Sequence, residues 1–253
     1  MPISSKTLFH FTGQAENLIG ILKDEFKPRF CLEDLTSLRV DGGVPFLEDA
    51  VPMVCFCDIP LSMISDHLAF YGNYGIGMTK EWAVRSGINP ILYLSAESYL
   101  NKFLSRTALT AFQSGDDLLT AMEMFEVFAH TKPIEGKMFR NGDFVDKYFY
   151  DEREWRFVPT LVTDPAEHKD VTYRLSKEEF LDDIRRADAN RELSTNSTLS
   201  FEPSDIKYII VAKDSEIRST INAIRRIKGR YDSATVDILA SRVISAEQIS
   251  EDF

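Results

Sequence analysis

The run from Ile206 to Ala212 is short and rich in isoleucine and valine, and it leads straight into apolar residues at helical spacing, Ile217, Ile221 and Ile224, up to Gly229. Thr235 to Val243 then returns to a strand-type composition. Strand, helix and strand in that order predict a βαβ unit over residues 201–253, because two parallel strands need a crossover long enough to hold a helix. No other segment constrains the topology as tightly.

Upstream, the pattern alternates less regularly. Thr7 to Phe11 predicts a strand, with Thr12 capping a helix whose stripe is Leu18, Ile19 and Leu22. Residues 24–50 mix charges with Pro28, Gly42-Gly43 and Pro45, which predicts a long irregular excursion. Val54 to Ile59 predicts a buried strand, followed by a helix from Pro60 with Leu61, Ile64, Leu68 and Tyr71 in register. Ile76 to Thr79 and Ile91 to Ser95 predict further strands around a short helix over Lys80 to Ser86 and a turn at Asn89-Pro90. An amphipathic helix is expected over Asp116 to His130, closed by Lys132-Pro133, then a strand over about 148–160. Ser176-x-x-Glu179 has the form of a capping box opening a helix with Phe180, Leu181 and Ile184 on one side, and the polar stretch 188–200 reads as a surface loop. Neither repeats nor a long linker interrupt the 253 residues, so the expected architecture is a single α+β domain, 1–253.

Asp plus Glu number 40 against 29 Lys plus Arg, a net charge of −11, so the average surface repels nucleic acid and anionic membrane. The one basic cluster, Arg225, Arg226, Lys228 and Arg230, reads as a solvated helix end that complements the helix dipole. Cys31, Cys55 and Cys57 make no disulfide framework, and no stretch reaches the ~18 apolar residues of a spanning helix. Together with an N-terminus that lacks a long apolar leader, these features lead us to expect a cytoplasmic protein. Cys55 and Cys57 share a strand face that Asp58 points away from, so no metal site is expected there.

Chemistry concentrates in three places. Asp151-Glu152-Arg153-Glu154-Trp155-Arg156-Phe157, read as one strand, places Glu152, Glu154 and Arg156 on one face, with the two carboxylates about 7 Å apart. Such a pair can divide the work of charge stabilisation and hydrogen bonding, or it can make cross-strand salt bridges on a solvated edge. His10 and Thr12 share a face at the end of the first strand, and the alternative role for each is to satisfy a turn or a cap. Tyr71-Gly72-Asn73-Tyr74-Gly75-Ile76-Gly77 sets aromatic planes among glycines that let a backbone or a flat ligand approach, or it simply ends a helix.

Three blocks together resemble the AbiGi family of abortive phage-infection proteins: Leu8-Phe9-His10-Phe11-Thr12 with Asn17-Leu18-x-x-Ile21-Leu22; Val54 to Leu61 with Tyr71 to Trp82; and Phe149 to Arg156. The run Phe201-x-Pro203-x-Asp205 to Val211 fits as well. That resemblance implies phage defence on the antitoxin side of a two-gene system, with a cognate toxin or a phage protein as partner. More distantly, the His-x-Thr opening and the helix after it are similar to DarT-like ADP-ribosyltransferases. This second resemblance implies a split-sheet transferase core and NAD as cofactor, for ADP-ribosyl transfer or NAD hydrolysis. It would place His10 and Thr12 at the ribose, Tyr71 or Tyr74 on the nicotinamide ring, and Glu154 or Glu152 as the catalytic carboxylate beside an oxocarbenium-like centre.

Overall fold

The computed structural model describes residues 5–36, 48–114, 118–140, 142–159 and 172–252. Along the chain it runs β1 (Thr7–Thr12), α1 (Ala15–Asp24), β2 (Arg29–Leu32), β3 (Asp49–Cys57), α2 (Ser65–Tyr71), β4 (Tyr74–Thr79), α3 (Lys80–Arg85), β5 (Asn89–Pro90), β6 (Leu92–Leu94), α4 (Tyr99–Ser114) and α5 (Leu118–Ala129). It continues with β7 (Thr131–Pro133), β8 (Glu135–Arg140), β9 (Asp143–Tyr148), β10 (Glu154–Phe157), β11 (Leu175–Ser176), α6 (Lys177–Leu181), α7 (Asp183–Asn196), β12 (Ile206–Val211), α8 (Asp214–Ile227), α9 (Ser233–Ala240), β13 (Val243–Ser245) and α10 (Ala246–Asp252). The class is α+β, as the mixed periodicity predicts. The chain forms two compact units: Met1–Lys27, Cys55–Ile88 and Thr198–Phe253 make the first, Pro28–Val54 and Asn89–Ser197 the second.

In the first unit β1 pairs antiparallel with β4 from Thr7↔Thr79 to Thr12↔Tyr74, β4 with β12, and β12 runs parallel to β13. Alternation along β1 sends Phe9 and Phe11 to one face and Leu8, His10 and Thr12 to the other. On the first face Phe9 packs with Ile59, Ile64, Leu68, Ile210, Ala246 and Ile249. On the second, the rings of Phe26, Phe56, Trp82 and Phe201 meet edge-on or tilted, and Trp82 Nε1 donates to the Ser200 carbonyl at 2.9 Å. Gly75 and Gly77 lie opposite Phe11 and Phe9 because those rings cover them: a Cβ on Gly77 would meet Phe9 Cε1 at 2.9 Å. The space that these glycines open is filled by the chain's own side chains.

In the second unit the first part of β3 pairs antiparallel with β2 and β11, over a core of Phe30, Ala50, Leu175, Phe180, Ala189 and Leu193. A second cluster gathers Leu35, Leu94, Ala108, Met124 and Phe128. β6 runs parallel to β7, β8 and β9 form a hairpin, and β10 pairs with β5.

Several expectations need correction. The βαβ unit exists, but its second strand is β13, and residues 233–240 form α9. The reason is legible afterwards: Asp232 accepts from Thr235 N as an N-cap, and Val236, Leu239 and Ala240 are buried at spacings of three and four. Helix α7 runs through 188–196, most of the stretch expected as a surface loop, N-capped by Asp182, with Asn190 Oδ1 accepting from Phe30 N at 3.0 Å. The capping box of Ser176 and Glu179 is present, but α6 stops at Leu181, which leaves Leu181 at 43% and Ile184 at 76% exposure rather than on a buried stripe. Gln14, not Thr12, is the N-cap residue of α1. Asn89-Pro90 is a short strand, and Lys132-Pro133 lies within β7. Helix α4 and the β8–β9 hairpin lie where no element was expected. The residues before Leu118 at the start of the expected Asp116 helix, like the centre of the 24–50 excursion, fall outside the described residues.

Candidate functional site

The expected strand over 148–160 is the most consequential correction. Phe149 is buried against Gly136 and beneath the Lys132 ammonium, 4.4 Å from its ring centre, and its N–H donates to the Ile134 carbonyl at 2.7 Å. This anchor winds Phe149–Glu152 into a 3-10 turn, and Arg153 leaves it in the left-handed region at φ 45°. Only Glu154–Phe157 is extended. The face carrying Glu152, Glu154 and Arg156 is therefore not a solvated edge: their exposures are 3%, 4% and 0%.

These buried charges neutralise one another. Lys132 Nζ donates to Glu152 Oε2 at 3.1 Å and Glu154 Oε2 at 2.9 Å. Arg156 Nε donates to Glu154 Oε1 at 2.5 Å, its Nη1 to the Ala129 carbonyl at 2.7 Å, and its Nη2 pairs with Glu33 Oε1 at 3.0 Å. Lys147 Nζ approaches Glu152 Oε1 at 3.9 Å. Among the described residues, the carboxylates Glu33, Glu152 and Glu154 face the cations Lys132, Lys147 and Arg156. The Glu154 N–H donates to the Tyr93 hydroxyl at 2.9 Å, which fixes the strand carrying the pair.

Burial alone would raise the Glu154 carboxyl, but the charges of Arg156 and Lys132 outweigh it and hold the group well below the usual carboxylate range. For Lys132 burial works the other way, and Glu154, Glu33 and Glu152 prevail to push it well above its ordinary value. Both partners are thus held ionised. Burial raises the Tyr93 phenol. Both oxygens of Glu154 are engaged, so this carboxylate ties β7 to β10.

The other predicted residues lie in the first unit. Thr12 and Tyr74 stand directly opposite in register, on the same face as His10. Thr12 Oγ1 accepts from Asn17 Nδ2 at 2.9 Å, and the Tyr74 hydroxyl donates to Glu216 at 2.8 Å, a bond that with partial burial raises the Tyr74 pKa. His10 Nδ1 lies 2.9 Å from the Cys55 carbonyl, so Nδ1 carries the proton, and the ring sits 5.4 Å from Phe26 and 5.7 Å from Phe56. Burial lowers its pKa, against the opposing effect of that hydrogen bond. Tyr71 is elsewhere: it ends α2, its ring tilted against that of His67, which in turn lies 6.3 Å from the Phe11 ring on the opposite face of the sheet. Of the two tyrosines, Tyr74 accompanies His10 and Thr12.

Sequence reading missed Lys132, Tyr93, Glu33 and Glu216. Lys132 stood beside a proline and looked like a helix terminator; nothing local signals that it lies buried in a strand. Among the described residues no group of three His, Cys, Asp or Glu side chains is disposed to hold a metal, and no helix is long and apolar enough to cross a membrane.

What emerges is an α+β protein with a buried cluster of paired charges around Glu154. Residues 24–212 match the family described as "Putative abortive phage resistance protein AbiGi, antitoxin". The abortive phage resistance protein AbiGi of Lactococcus lactis subsp. cremoris is 31% identical over 255 residues, an alignment covering 90% of this chain and 99% of that protein. This chain belongs to the AbiGi family of abortive phage resistance proteins. No solved structure matches it.

Proposed function

We propose that this chain is the antitoxin of a two-component phage-defence system and acts by binding a partner toxin protein, not by catalysis. The observation that carries this reading is the burial and full ion pairing of Glu152 and Glu154, the two carboxylates best suited by sequence to catalysis. A net charge of −11 suits a protein that masks a basic partner, since complementary fields speed association and reject like-charged competitors. The family description carries the same word, antitoxin. The test is co-expression with the product of the adjacent gene: the chain rescues growth and the two proteins elute as one complex. A neighbour that is harmless alone, or toxicity that the chain leaves untouched, overturns the reading.

A second reading has an observation of its own: Thr12 and Tyr74 oppose one another across β1 and β4 with His10 on the same face, the arrangement asked of an NAD site. Here the chain would be a transferase-like protein that holds NAD at His10, Thr12 and Tyr74 of the first unit. Saturating NAD or ADP-ribose then raises the Tm by mass action, and Thr12→Val with Tyr74→Phe abolishes the shift. No shift in the unaltered chain eliminates it.

A further inference from the structure

A groove of about 560 Å³ runs along the outer side of α8, lined by Asp214, Ile217, Arg218, Ile221, Asn222 and Arg225. These positions advance by steps of three, one, three, one and three, the stripe a helix presents to a packed neighbour. Their spacing also reads the same from either end. Turned end for end, Asp214 exchanges with Arg225, Ile217 with Asn222 and Arg218 with Ile221.

From this we infer that the groove is the contact through which two copies of this chain form a two-fold dimer, α8 packing antiparallel on α8. A two-fold interface must be self-complementary, and here the charges provide it: Asp214 of each copy faces Arg225 of the other. Helices packed at 8–10 Å bring an aspartate and the longer arginine into contact range. Between the two ends, Ile217 and Ile221, each half-buried, interleave with their counterparts, while the Arg218 guanidinium extends to the wet rim over its apolar stem. Both charged ends already have a partner within the copy, Ser245 for Asp214 and Asp237 of α9 at 3.3 Å for Arg225, so each is held at its end of the stripe. The Arg225 tie joins the end of the stripe to Asp237 of α9. Of the basic cluster that the sequence reads as a solvated helix end, Arg225 lines the groove.

The test is sedimentation equilibrium of the full chain at about 0.15 M salt, where a Debye length of ~8 Å screens the net repulsion between copies but not a direct Asp–Arg contact. The expected mass is twice the 28.9 kDa of the chain. Ile221→Glu and Arg225→Asp each give the monomer mass with an unchanged Tm and circular dichroism spectrum, and Asp214→Arg combined with Arg225→Asp restores the dimer. A wild-type chain that stays monomeric at hundreds of micromolar overturns the proposal, including the case where the groove instead retains a different protein. So does a dimer that survives both single substitutions, and singles that dissociate it without rescue by the charge swap overturn the antiparallel arrangement.

Discussion

Glu154 shows how one side chain can hold a local structure together. Glu154→Gln removes the carboxylate shared by Lys132 and Arg156 and leaves two buried cations under-compensated, so it is expected to cost about 3–5 kcal/mol. Urea denaturation measures this; a carboxylate retained only for catalysis would leave the midpoint unchanged. The pH dependence has a definite sign. Because the folded Glu154 pKa is depressed, its contribution is complete above the unfolded value of about 4.3 and is lost as pH falls below it, whereas that of Lys132, raised on folding, is complete below about 10.4 and lost as pH climbs through its raised value. His10 acts nearer neutrality. Its pKa is lowered on folding, so the unfolded chain binds the proton first, and stability declines as pH drops below about 6.5 toward the folded value. Comparing urea midpoints between pH 8 and 5 should show this decline in the wild type and a shallower one in His10→Gln.

At the scale of elements, local chemistry and packing contribute unequally. The capping box of Ser176 and Glu179 was readable because it lies within four residues and acts through backbone hydrogen bonds. The break after Leu181 was not, because Asp182 opens a new helix whose direction depends on Asn190 reaching Phe30, 160 residues away. The β1–β4 pair makes the same point with glycines. Gly75 and Gly77 are required by rings on the neighbouring strand, so Gly77→Ala, which adds one methyl against Phe9, Thr7 and Tyr208, is expected to cost about 1–3 kcal/mol, read from the urea midpoint. An unchanged midpoint would mean that Phe9, Thr7 and Tyr208 yield to the methyl and that packing does not require the glycine.

At the scale of the whole molecule, the first unit is assembled from three separate stretches of chain, and its sheet depends on the last of them. Truncation after Ser197 removes β12, strips the β4 edge and uncovers Phe9 and Ile76, so the shortened chain is expected to move from the soluble to the insoluble fraction on expression. The sequence by itself determined the α+β class, the first strand and helix, the β3–α2–β4–α3 series, the crossover from β12 through α8 and the membership of the AbiGi family, because periodicity, caps and short motifs act over a few residues. Only the tertiary structure decided that the Glu152–Arg156 face is buried, that Lys132 and Glu33 complete it, that Tyr74 rather than Tyr71 joins His10 and Thr12, and that 233–240 is helical. In each case the deciding partner lies outside the local pattern: burial reverses the cost of exposing or pairing a charge, and a run of residues does not carry its own burial.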